Sequence, residues 1–152
     1  MMNAIKIYRI GNYCYRKKIP FVPAFCNALT FFLFNSFIPY TTKIGRDSKF
    51  AYGGIGVVLH GRSEIGKRVI IGQGVTIGRK LDPEAVPIVG DDVYIFAGVR
   101  ILGGVRIGDN VIIGANSVVV SDVPSNSIVA GVPARVIRSV DKNIYSMLKN
   151  IY

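Results

Sequence analysis

The chain has 152 residues, half of them apolar, 18% charged, with a mean hydropathy of +0.38; that is enough for one domain and too hydrophobic for a disordered chain. Nineteen Lys and Arg against nine Asp and Glu leave a net charge of +10, which points to a polyanionic partner such as nucleic acid, a phosphate-bearing ligand or an anionic membrane face. One histidine, His60, and two cysteines, Cys14 and Cys26, are too few for a His/Cys zinc site, so no metal is expected.

Residues 1–43 read as a helical N-terminal region. Lys6, Arg9, Arg16 and Lys17 alternate with Ile5, Tyr8 and Tyr13, which predicts one or two helices within 3–38. The apolar run over 19–38 is broken by Pro20, Pro23, Asn27, Thr30, Asn35 and Ser36, so a membrane-spanning helix is not expected. The start lacks the pattern of a cleavable signal, and a cytoplasmic, reduced chain is the natural expectation. Apolar helices beside Lys and Arg suit either a peripheral contact at the inner membrane face or packing against the rest of the protein.

From 44 to 138 the chain repeats with a period of six. Aliphatic residues stand at Leu59, Ile65, Ile71 and Ile77, and again at Val89, Ile95, Ile101, Ile107, Ile113 and Val119; two positions earlier stand Val57, Ser63, Val69, Val75, Val93, Val99, Val105, Val111 and Ser117. Neither a helix nor an alternating strand gives this period, whereas a three-sided coil of about 18 residues per turn does. Residues 79–88 break the repeat and read as a loop thrown out of a corner. The tail, 139–152, is expected to hold one short C-terminal helix.

His60 occupies a corner where most repeats carry Gly. One turn later the same edge carries Gly78, at the root of the loop. Beyond the loop, either Phe96 or Leu102 continues that edge, depending on how much of the loop leaves the coil. An imidazole with an ordinary pKa of about 6.5 suits a general base. Glu64, Asp47 or a backbone carbonyl are candidates to orient its second nitrogen.

The stretches GVVLHGRSEIGKRVIIGQGVTIG (56–78), IVGDDVYIFAGVRILGGVRIGDNVIIGANSVV and VAGVPARVI resemble the hexapeptide-repeat acyltransferases, and among them the serine acetyltransferase group. The resemblance implies a mainly β fold, a left-handed parallel β-helix, assembled as a homotrimer with active sites between subunits. It implies acetyl-CoA as co-substrate and direct attack by an acceptor hydroxyl with His60 as base. By position, the coenzyme would lie along Gly78, Ala97, Gly98, Gly114 and Ala115, its phosphates reached by Arg79 or Lys80 and by Arg135 and Arg138. The γ-class carbonic anhydrases share the coil but need three zinc-bound histidines, and one histidine excludes them.

Three departures bear on the acceptor. The family's catalytic Asp-His pair falls on Tyr52 and Gly53, the histidine of its extended loop on Val86, and its partner aspartate near Phe37. The resemblance therefore points to the branch that acetylates sugar hydroxyls in capsule and polysaccharide synthesis, with Tyr52, Gly53 and Arg62 facing the acceptor. Serine O-acetylation and a noncatalytic trimeric scaffold are the alternatives. Nucleic-acid binding is not expected, because no recognition helix or basic-aromatic platform is present.

Overall fold

The computed structural model describes residues 2–81 and 84–148. Helix α1 (Ala4–Arg16) begins where the Asn3 side chain accepts the backbone N–H of Ile5, filling one of the orphan donors of the first turn. Helix α2 (Val22–Phe34) carries Pro23 in its first turn, where the missing N–H costs nothing, and stops at Asn35 in the left-handed conformation. Side chains of α1 fasten it to the coil. Tyr8 donates to the carbonyl of Thr42, Arg9 to those of Ile44 and Gly45, and Asn12 to that of Tyr40. Among the described residues no helix is long and apolar enough to cross a membrane.

The coil starts earlier than 44. Phe37 bridges in parallel to Val58, and Ile38 is buried in the core. Ser36 makes this first corner: its Oγ donates to the Gly54 carbonyl and accepts the N–H of Val57. Among the described residues fourteen short strands follow. In chain order they are β1 (Lys43–Ile44), β2 (Lys49–Phe50), β3 (Val58–Leu59), β4 (Glu64–Ile65), β5 (Ile70–Ile71), β6 (Thr76–Gly78), β7 (Ile88–Val89), β8 (Val93–Ile95), β9 (Arg100–Leu102), β10 (Arg106–Ile107), β11 (Val111–Ile113), β12 (Val118–Val119), β13 (Ser127–Gly131) and β14 (Ala134–Ser139).

They stack into three parallel faces. The first is β1-β4-β7-β10, the second β2-β5-β8-β11 continued by β13 and β14, and the third β3-β6-β9-β12. The period-six residues form inward ladders, such as Leu59–Ile77–Ile101–Val119 on the third face, with Leu59 and Val119 1% exposed and Ile77 and Ile101 fully buried. The residues two positions earlier are buried as well: Val57, Ser63, Val69, Val75, Val93, Val99, Val111 and Ser117 are all at 0%. The sequence pattern thus encodes two inner rows. A small or branched residue fills the space behind each corner, and an aliphatic one fills the middle of each side.

The C-terminus departs from a simple end to the repeat. Strand β14 turns back antiparallel to β13, and helix α3 (Ile144–Met147) follows. Val140 and Ile144 cover the outward Ile70, Tyr94 and Ile112 of the second face. On this face the outward apolar residues are therefore covered by the chain's own tail. The part of the expected tail helix beyond 148 lies outside the described residues.

Candidate active site

His60 follows β3 at the edge where the third face turns into the first. Its N–H donates to Ile77 at 2.8 Å, and its carbonyl accepts from the N–H of Ser63 at 2.9 Å and from Thr42 Oγ1 at 3.2 Å. The backbone beneath the imidazole is therefore held from both neighbouring stretches. Gly78 lies one turn on, and Leu102 after it, since Gly78 pairs with Leu102 in register. The register passes from Gly78 directly to Leu102, so Phe96 does not continue this edge. The excursion closes at Pro87, because Ile88 already belongs to β7.

The described part of the loop lies down along the same edge. Lys80 runs over Gly103 and donates to the Val120 carbonyl at 3.3 Å, while Ala85 packs on Gly104. A Cβ at Gly103 would come within 3.0 Å of the Lys80 side chain, and one at Gly104 within 2.5 Å of Ala85 Cβ, so the paired glycines make room for the loop. Arg62 ties the loop from the other side, donating to the Glu84 carbonyl at 2.8 Å. Lys80 and Thr42 thus join the edge; the resemblance assigns Lys80 only a phosphate role, and a threonine preceding the recognisable repeat carried no signal.

Among the described residues no carboxylate pairs with the second nitrogen of His60. Nδ1 accepts the backbone N–H of Arg62 at 3.2 Å, which leaves the ring proton of the neutral form on Nε2. Glu64 is instead paired with Lys43 at 2.6 Å, and Asp47 sits at the opposite edge, in the corner between β1 and β2. Burial, then the charges of Arg62 and Arg79, hold the imidazole below its ordinary pKa, because both disfavour the imidazolium.

The remaining predicted residues divide between two edges. His60, Arg62, Gly78 and Arg79 share the edge between the third and first faces. Tyr52, Gly53, Ala97, Gly98, Gly114 and Ala115 lie on the edge between the second and third faces, where Gly56, Gly74, Gly98 and Asn116 all adopt positive φ. Arg135 extends this second edge, pairing with Ala130 on β13, whereas Arg138 lies further back opposite Ile128. Within one chain the third face, with Thr76 and Arg100 outward, separates the ladder of Ala97, Gly98, Gly114 and Ala115 from the imidazole and Gly78. Among the described residues no group of His, Cys, Asp and Glu is placed to hold a metal.

Comparison with known proteins agrees with this architecture. Residues 87–121 match the family model described as bacterial transferase hexapeptide (six repeats). A serine acetyltransferase of Helicobacter pylori strain J99 is 36% identical over 138 residues, covering 90% of this chain and 80% of that protein. One from Bacillus pumilus is 36% identical over 145 residues, 94% of this chain and 66% of the relative. A solved serine acetyltransferase in complex with CoA superposes with a TM-score of 0.80 at 36% identity, covering 88% of this chain and 55% of that one. The chain belongs to the hexapeptide-repeat transferases, in the group that holds the serine acetyltransferases. It spans just under two thirds of the Bacillus relative and little more than half of the solved chain.

Proposed function

We propose that the chain is an acetyl-CoA-dependent O-acetyltransferase in which His60 handles the acceptor proton. The observation that carries this reading is a solitary, neutral imidazole at the foot of the extruded loop, flanked by Arg62 and Arg79, in a fold whose solved relative holds CoA. The acceptor hydroxyl gives its proton to Nε2 as its oxygen attacks the thioester carbonyl; the tetrahedral intermediate then expels the thiolate of CoA, which takes the proton back from the imidazolium. For Nε2 to accept, the ring proton moves to Nδ1 and the contact with the Arg62 N–H opens. One half-exposed hydrogen bond of this kind costs about 1 kcal/mol, so the switch is accessible on acceptor binding. The coenzyme would run along the small-residue edge, and a homotrimer would bring that edge of one copy against the His60 edge of the next. A monomer by light scattering contradicts this arrangement.

Serine is the acceptor that the relatives favour, and Arg62 and Arg79 offer guanidinium groups to a carboxylate. A sugar hydroxyl is the second reading, favoured by Tyr52 and Gly53 standing where the resembling family carries its Asp-His pair. In that reading the exposed Phe21, Phe25 and Phe32, beside Lys17 and Lys18, rest on an acidic membrane that presents lipid-linked acceptors. Flotation with acidic liposomes, abolished by Phe21→Ser with Phe32→Ser, is the expected result; unchanged flotation removes the membrane contact. Release of CoA thiol measured with L-serine, sugar nucleotides and oligosaccharides separates the acceptors. Turnover with serine alone rejects the sugar reading, and no release with any acceptor returns the chain to a scaffold role.

The pH dependence follows from the direction of the His60 shift. A base with a lowered pKa loses activity only as pH falls through that lowered value, so the acidic limb of kcat/KM is expected below pH 6.5. Arg79→Gln removes one of the charges that disfavour the imidazolium and is expected to move the limb upward. A wild-type limb above pH 6.5, or one that Arg79→Gln lowers, contradicts the assignment.

A further inference from the structure

A second concavity lies away from the His60 edge, between α1 and the edge where the first face turns into the second. This cleft has a volume of about 740 Å³ and is lined by Arg9, Arg16, Lys43, Arg46 and Lys67, with Glu64 as its single carboxylate. That volume falls within the range of small-molecule sites, about 300–1,000 Å³. Its apolar lining comes from Ile88, the outward residue of β7, and from the Tyr15 ring of α1; Ile44, Ile65 and Val89 behind them belong to the coil's buried inner rows.

The charges are not consumed by the fold. Glu64 neutralises Lys43, and among the described residues no carboxylate forms an ion pair with Arg16, Arg46 or Lys67. Arg9 is held in place, one guanidinium nitrogen on the Ile44 carbonyl at 2.6 Å and the other on that of Gly45 at 2.5 Å. A guanidinium has five N–H groups, so N–H groups beyond these two remain for a ligand. The frame around it is rigid, since Tyr8 and Asn12 also fasten α1 to backbone carbonyls. Gathering this many like charges around one cleft is unfavourable without an anion to occupy it, and planar guanidinium groups match phosphate oxygens two at a time.

We propose that this cleft binds a phosphate ester or diphosphate, its anionic group between Arg9, Arg46 and Lys67 and its organic portion against Tyr15 and Ile88. The proposal is independent of acetyl transfer at His60. A soluble organic phosphate and a phospholipid headgroup present the same chemistry here. The neighbouring hollow at Ile19, Phe21 and Tyr40 shares Tyr15 with the cleft and offers an acyl chain a continuation.

Titration calorimetry with inorganic pyrophosphate and sedimentation with phosphatidate-containing vesicles test the site on the full chain. Arg46→Gln with Lys67→Gln, two exposed side chains, is expected to weaken binding by about tenfold or more, with the melting temperature unchanged. Glu64→Gln, which removes the lone carboxylate, is expected to tighten it. Pyrophosphate binding that behaves this way assigns a soluble phosphate. Vesicle binding that behaves this way without pyrophosphate binding assigns a headgroup. Failure of both probes to bind, or equal binding by wild type and the double variant, overturns the proposal.

Discussion

Replacing His60 with alanine is expected to lower kcat for acetyl transfer by about a hundred- to ten-thousandfold, the range contributed by a positioned general base. The chain has no other histidine, and among the described residues no carboxylate forms a hydrogen bond or ion pair with the ring that would let it take over the proton. The substitution should leave the fold intact. What holds this corner is backbone, the N–H to Ile77 and the carbonyl to Ser63 and Thr42, and alanine keeps all of it. A thiol-release assay on variant and wild type, with matched melting curves, checks the point. Equal rates would remove His60 from the mechanism.

Ile101→Ala is expected to cost about 2–5 kcal/mol of stability, the usual range for truncating a fully buried isoleucine. Ile101 is 0% exposed and sits in the middle of its ladder, between Ile77 and Val119. Each rung of a coil packs chiefly on the rungs before and after it, so the cavity has few neighbours free to collapse into it. Urea denaturation measures the loss as a fall in midpoint at constant slope. A cost below about 1 kcal/mol would mean that the inner ladder is less tightly packed than its burial indicates.

The coil was legible because its rule is local. An inward aliphatic residue every six positions, and a small or branched one two places earlier, follow from a side of fixed length and a corner of fixed geometry. The antiparallel return of β14 was not legible in this way. Its sequence, ARVIRS, still carries Val and Ile, and only the long-range pairing with β13 and the cover of Tyr94 by α3 determine its place. The start of the coil was hidden for a similar reason. Phe37 and Ile38 continue an apolar run from α2, and the break between helix and coil rests on Asn35 and the hydrogen bonds of Ser36.

The candidate site was legible residue by residue but not as an assembly. A histidine at a corner was conspicuous among glycines. Its tautomer was not, because it depends on a two-residue turn that brings the Arg62 N–H to Nδ1. The division of the small residues between two edges follows from the extruded loop, which shifts the register after Gly78 and which the repeat count alone left ambiguous. The basic cleft was foreshadowed by the net charge, although its location depends on how α1 docks.

Because His60 is the only histidine, its imidazole resonances can be assigned without ambiguity, and their titration with and without acetyl-CoA tests its role as the base. A midpoint below pH 6.5 is expected in the free protein, with a clear change in the ring nitrogen shifts when acetyl-CoA is added. A ring that titrates at or above pH 6.5 and is indifferent to saturating acetyl-CoA would contradict that role.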